Sequence, residues 1–216
     1  MTGRMPLDLS LYLVTDSRLC GSRGVPATVD EAIEGGVSVV QLRDPDATDV
    51  EFLALGRAVV AAVRGRVPVL VDDRVHLVAA VGADGAHVGQ SDLAPVEARR
   101  LLGPDAYLGL SVQTLGHVDR ARALPSGVID YLGVGPVWPQ ETKPDAADPC
   151  GVDGLAAIVQ ASPWPCVAIG GIGIERTPDV RAAGAAGIAV VSAICGRPEV
   201  AAAARALRSA WDGADS

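Results

Sequence analysis

The chain has 216 residues, 49% hydrophobic but only 3% aromatic, with a formal net charge of −8. That length suits one domain with a full core, and the acidic balance without a basic run argues against nucleic acid as a partner. No apolar run reaches the length of a membrane span, and residues 1–10 lack the apolar segment of a signal peptide.

With so few aromatics, the core must be built from Val, Leu, Ile and Ala, as in strands buried on both faces. The four cysteines, Cys20, Cys150, Cys166 and Cys195, form no C-x-x-C pair and none stands at metal-ligand spacing from a histidine. Cys166 and Cys195 are expected to be buried, and a reducing, cytoplasmic setting follows. A small anionic ligand stays compatible with the acidic balance, because local cations act inside a globally acidic protein.

The predicted elements follow a repeat. The first apolar run, LYLVTD (11–16), is a strand; after a loop through Pro26, Thr28 is the expected N-cap of a helix, with Glu31 at the capping-box position and Gly35-Gly36 as the stop. VSVVQLRD (37–44) is the second strand, ending in Gln41-Leu42-Arg43-Asp44; a helix over 49–64 carries Phe52, Leu55, Val59 and Val63 on one stripe. The third strand, 67–73, precedes a short helix over 75–81. A brief fourth strand ends near Gly89-Gln90, and a helix over 94–102 has Pro95 in its first turn. Strand 107–112 and helix 115–124 follow, then strand 131–135 and the longest irregular segment, 136–151. Helix 152–160, strand 166–170, helix 178–183, strand 188–191 and an Ala-rich helix over 198–211 complete the chain. Eight strand–helix repeats predict a single (β/α)8 TIM barrel over 1–216. An open doubly wound sheet is the alternative, which the regularity of the repeat disfavours.

Such barrels place their chemistry where strands end. The candidates in chain order are Gln41 and Arg43, Asp72-Asp73, Gln90 and Asp92, Ser111 and Gln113, Gln140, Thr142 and Lys143, Gly170-Gly171, and Ser192. Asp72, Asp73 and Asp92 suit a hard cation such as Mg²⁺, which binds through one or two carboxylates, water and phosphate; the alternative is that they cap the helices that follow. His87 is a second-rank ligand, because Mg²⁺ rarely takes imidazole. GGIG (170–173) offers backbone N–H groups to a phosphate and Ser192 adds a hydroxyl, although the glycines also serve turn geometry alone. Arg43 and Lys143 are the cations at strand ends. His76 and His117 fall on helical stretches facing solvent, and Trp138 either lines a pocket or packs its loop.

The motifs LYLVTD, GGVSVVQLRD, VDDRVHLVAA, GADGAHVGQSDL, LGLSV, DYLGVGPVWPQETKP, VAIGGI and GIAVVSAI, in this order from residue 11 to about 194, resemble the thiamine phosphate synthase family. The resemblance implies a transferase that joins hydroxymethylpyrimidine pyrophosphate to a thiazole phosphate, giving thiamine monophosphate and pyrophosphate by a dissociative route. It implies Mg²⁺ on Asp73 and Asp92, and a pyrophosphate held by Arg43, Asp72, Ser111 and Lys143, of which Arg43, Ser111 and Lys143 serve catalysis. Gln41 would lie near the pyrimidine. Gln140 belongs to the substrate-binding loop, and Thr142, Gly171, Val191 through its backbone, and Ser192 would hold the thiazole phosphate. Partners are therefore small-molecule substrates, with a homodimer left open.

The chain departs from the family pattern at Pro45 (usually Lys), Asp72 (Asn), Gln140 (Thr) and Gln113 (often His). The first two shift the local charge by about two units toward negative, which Arg74 would offset if it turned inward. Two further readings stay open: a thiazole tautomerase on the same fold, and a non-catalytic barrel that binds thiazole or thiamine phosphates.

Overall fold

Strands enclosed on both faces present no side to water, and the near-continuous Val, Leu and Ile runs reflect that. The computed structural model describes residues 6–140 and 148–213. Its strands are β1 (Leu11–Val14), β2 (Val39–Leu42), β3 (Val69–Asp72), β4 (Gly85–Val88), β5 (Tyr107–Val112), β6 (Tyr131–Val134), β7 (Cys166–Ile169) and β8 (Gly187–Val190). They pair in parallel in sequence order and close into a barrel. The closing ladder runs from β8 to β1, with Leu11 opposite Ile188 and Leu13 opposite Val190. That ladder rules out the open sheet, and the architecture is the expected (β/α)8 barrel.

The helices among the described residues are α1 (Ser17–Cys20), α2 (Val25–Glu34), α3 (Asp49–Val63), α4 (Val78–Val81), α5 (Pro95–Leu102), α6 (Leu115–Arg122), α7 (Gly151–Ala161), α8 (Thr177–Ala182) and α9 (Val200–Asp212). On α3 the expected stripe is buried at Phe52, Val59 and Val63, and Thr48 with Glu51 forms a reciprocal capping box at its start. The expectation for α2 is corrected: the helix begins at Val25 behind Gly24, not at Thr28. Pro26, with its fixed φ and missing N–H, fits the first turn and moves the start upstream. Thr28 is buried one turn inside, its hydroxyl donating to the Gly24 carbonyl at 2.9 Å.

Period-two alternation divides the strand residues between two cores. Leu11, Leu13, Val40, Leu42 and Val71 face outward to the helices in the larger cluster. Tyr12, Val14, Val39, Leu70, Tyr131, Val167 and Ala189 face inward and fill the barrel. This inner core is partly polar. Tyr12 and Tyr131 are almost fully buried, with ring centroids 6.0 Å apart, and the His87 ring lies 5.5 Å from that of Tyr131.

Glycines on β5 and β6 make the space these rings occupy. A Cβ at Gly109 would strike Tyr131 and His87, and one at Gly133 would lie 2.8 Å from His87 Cε1. Gly133→Ala is therefore expected to overpack the barrel and lower unfolding stability by about 1–3 kcal/mol, read as a reduced urea midpoint at constant m-value.

Candidate active site

Because alternate residues point inward, the last inward position of each strand faces the mouth formed by the strand C-termini. Asp72 pairs with His87 across β3–β4, and Ser111 with Gly133 across β5–β6. Gln41, Asp72, His87 and Ser111 all line one cavity of about 920 Å³, a size that accommodates two small substrates.

The polar inward residues satisfy one another. Gln41 Nε2 donates to Tyr12 Oη at 3.0 Å, and Tyr12 and Tyr131 share a hydroxyl–hydroxyl bond of 2.8 Å. Tyr131 Oη is bonded to His87 Nδ1 at 2.9 Å, and His87 Nε2 to Ser111 Oγ at 2.8 Å. Burial raises the pKa of both phenols, so both hydroxyls stay protonated. Gln90 Nε2 donates to the Ser111 carbonyl at 2.7 Å and holds the strand end from the other side.

At the β2 end, the Thr15 hydroxyl accepts from Arg43 N at 3.0 Å and donates to Arg43 O at 3.2 Å. The Arg43 side chain is thereby projected over the mouth, where its Nε lies 3.4 Å from Asp72 Oδ2. Both side chains remain partly exposed, at 21% and 15%, so the pair is accessible to a ligand. Arg74 does not offset the local negative charge. Its guanidinium turns away to Asp49 Oδ1 at 2.8 Å and to the Asp44 and Ala47 carbonyls, and stacks over the Phe52 ring at 4.8 Å.

The expected metal residues are placed differently. Asp92 is in the cavity wall, with Oδ2 accepting from Gly89 N at 2.7 Å. Asp73 is exposed, takes a left-handed backbone with φ 56°, and donates its N–H to the His87 carbonyl at 2.9 Å; its side chain is not part of the wall. Among the described residues, no group of three or more His, Cys, Asp or Glu side chains is arranged to hold a metal. A cation here would take protein carboxylates singly or as a pair and complete its shell with water and ligand oxygens, which is the habit of Mg²⁺.

Across the mouth, Gly170 and Gly171 line the cavity and take φ values of 103° and 66°. A Cβ on Gly171 would lie 2.7 Å from the Pro139 carbonyl oxygen, so the loop closes only over glycine. Val191, Ser192 and Gln140 also line the cavity. Thr142 and Lys143 lie outside the described residues. Trp138 packs its loop: Arg176 sits over its ring at 5.0 Å and donates to the Gly171 carbonyl.

Several wall residues escape the strand-end rule. His87 and Tyr12 point inward from within strands, and only the period of two would have singled them out. Arg197 and Glu175 come from the segments after β8 and β7; Arg197 Nε donates to the Ser192 carbonyl at 3.1 Å. His117 also lines the cavity instead of facing solvent, its Nδ1 accepting from Gln113 N at 3.3 Å, and burial together with Arg120 lowers its pKa. His76 is exposed as expected, beside Asp49 at 2.9 Å. All four cysteines are free thiols.

Comparison with known proteins agrees with the geometry. The family described as thiamine monophosphate synthase matches residues 11–194. A thiamine-phosphate synthase of Azorhizobium caulinodans is 47% identical over 205 residues, covering 94% of this chain and 95% of the relative. One of a Psychrobacter species is 46% identical over 187 residues, covering 87% and 88%. The solved structure of a thiamine phosphate pyrophosphorylase from Pyrococcus furiosus superposes with a TM-score of 0.85 at 34% identity, covering 96% of this chain and 97% of that one.

The orientation of Arg74 yields a clear expectation. Arg74→Ala should lower unfolding stability by about 1–2 kcal/mol through the lost loop hydrogen bonds, while the affinity for inorganic pyrophosphate with Mg²⁺ stays within about twofold. Urea denaturation and calorimetric titration read the two effects separately.

Proposed function

The chain belongs to the thiamine monophosphate synthase family, and on that premise we propose that its cavity condenses hydroxymethylpyrimidine pyrophosphate with a thiazole phosphate to give thiamine monophosphate and pyrophosphate. It is a transferase of thiamine biosynthesis. The observation that supports the proposal is one cavity lined both by Arg43 and Ser111 and by the Gly171 and Ser192 segment, groups of the kind that bind anions.

In this reading the bond from the pyrimidine methylene to the pyrophosphate oxygen breaks first, and both electrons leave with the oxygen. The thiazole ring nitrogen then shares its lone pair with the methylene carbon. No proton is gained or lost at the reacting atoms, so no protein nucleophile or base is required. Arg43, Ser111 and Lys143 hold the pyrophosphate, whose negative charge grows as the bond breaks. Groups that bind it more strongly late than early lower the barrier. Gln41 faces the pyrimidine. The Gly171 amide, Val191 backbone, Ser192 and Thr142 hold the thiazole phosphate, and Gln140 lies between the two substrates. Fixing both in line removes the entropy of their encounter. Apolar Val14, Val167 and Ile169 form the cavity floor and keep water from the pyrimidine cation.

Asp92 in the cavity wall, joined by Asp73 from beside it, would supply oxygen ligands suited to Mg²⁺, which when bound would neutralise charge on the departing pyrophosphate. The proposal includes a cytoplasmic setting, in keeping with four free thiols. No helix among the described residues is long and apolar enough to cross a membrane. It also includes a homodimer, for which exposed Val96, Leu101 and Leu115 offer apolar surface.

Mixing the two substrates with the protein should release pyrophosphate and form thiamine monophosphate only when Mg²⁺ is present. Substrate binding without product under every metal condition would refute the enzyme reading. Asp92→Ala should lower turnover by at least about a hundredfold with thiazole phosphate affinity nearly unchanged. Asp72→Asn keeps an acceptor beside Arg43 but removes one charge, so inorganic pyrophosphate with Mg²⁺ should bind about three- to tenfold tighter by calorimetry. Equal or weaker binding would show that the carboxylate is not what tempers this end of the cavity.

A further inference from the structure

The inner hydrogen-bond chain has a direction that its donors dictate. A carboxamide nitrogen carries only hydrogens, so Gln41 Nε2 must donate to Tyr12 Oη. Tyr12 then has one hydrogen to place, and Tyr131 Oη is its remaining hydrogen-bond partner. Tyr131, having accepted, gives its own hydrogen to His87 Nδ1. A neutral imidazole that accepts at Nδ1 carries its hydrogen at Nε2, which donates to Ser111 Oγ. The Ser111 hydrogen is left to point away from the ring and into the cavity that Ser111 lines. The opposite polarity would need an amide nitrogen to accept. A doubly protonated ring would give Tyr12 Oη two incoming donors and leave the Tyr12 hydrogen without an acceptor.

The fold invests in this arrangement. Gly109 and Gly133 exist as glycines beside the His87 and Tyr131 rings, and no described buried side-chain nitrogen or oxygen lacks a partner. The ladder places His87 directly opposite Gly109, so the ring lies across a strand that offers it no side chain to push against.

We propose that His87 is a positioning residue: the one-way chain from Gln41 through Tyr12 and Tyr131 holds its ring in the Nε2–H form, and the ring turns the Ser111 hydroxyl outward as a donor to an anion. The inference rests on the assignment of Ser111 to the pyrophosphate end. It adds a link between the two parts of one substrate, since the chain starts at the residue that faces the pyrimidine and ends at one that holds the pyrophosphate. Ser111 would meet its anion with its hydrogen already aimed, without reorganising as charge develops.

The test uses the full chain labelled with 15N-histidine and free of ligand. Long-range proton–nitrogen correlation should show His87, identified by the signal lost in His87→Gln, with a bare Nδ1 and a protonated Nε2. Gln41→Glu replaces the obligate donor with an acceptor, so the chain should reverse and His87 should move to the Nδ1–H form. Tyr131→Phe keeps the ring and cuts the chain without adding charge. His87 should then populate both tautomers, and the affinity for inorganic pyrophosphate with Mg²⁺ should fall about two- to fivefold. Combined with Ser111→Ala, the same cut should cause no further loss, because both changes remove one donor. An Nδ1–H ring in the unaltered protein, an unchanged tautomer in Gln41→Glu, or additive losses in the double variant would overturn the proposal. Unchanged pyrophosphate affinity in Ser111→Ala, with the expected tautomer present, would instead overturn the assignment of Ser111.

Discussion

A closed parallel barrel has no edge, and everything else in this molecule follows from the β8–β1 ladder that closes it. Closure makes an interior of fixed width, reachable only from its ends, into which every second strand residue must point. Most of those residues are apolar and fill the space. The few polar ones cannot reach water, so they must pair with one another or face the open mouth. Gln41, Tyr12, Tyr131, His87 and Ser111 do both: they form one continuous hydrogen-bonded chain that begins and ends at the cavity.

The same constraint orders the charges. Strand ends set Arg43 and Asp72 side by side at 3.4 Å, so the guanidinium at the mouth is already partly engaged by a carboxylate. Asp72 adds a negative charge beside Arg43, and Arg74 is committed to the loop after β2. Its bonds to the Asp44 and Ala47 carbonyls and its stacking on Phe52 brace the segment that carries Pro45. At this end of the cavity the Arg43 backbone is held by Thr15 and the Ser111 hydroxyl is bonded to His87. The opposite end is formed by Gly170, Gly171, the segment after strand 8 and Arg197, which is bonded to the Ser192 carbonyl.

Much of this was legible in the residues. The apolar runs and their spacing located all eight strands to within a few residues, because strands buried on both sides tolerate little else. The residues ending those runs were a sound guide to the cavity: Gln41, Arg43, Asp72, Asp92, Ser111, Gly171 and Ser192 all line it. The misses have local causes. Thr28 satisfied the pattern of an N-cap, but Pro26 two residues earlier was the stronger start signal. His87 looked like a weak metal ligand because a lone histidine in a strand does not reveal what lies across the barrel. Its partners are 24 and 44 residues away. Trp138 was ambiguous until Arg176, far along the chain, was seen to cover it.

By itself the sequence determined the period, the number of strands and the kind of residue at each strand end. These depend on local alternation and on the physical need to bury apolar surface. Only the tertiary structure decided which way each of those residues points and what it touches. It turned Arg74 outward, set Asp73 beside the wall and not in it, and joined Tyr12 to Tyr131 across the barrel. Such contacts link residues over a hundred positions apart, and their geometry is set by closure and register, which no local pattern encodes.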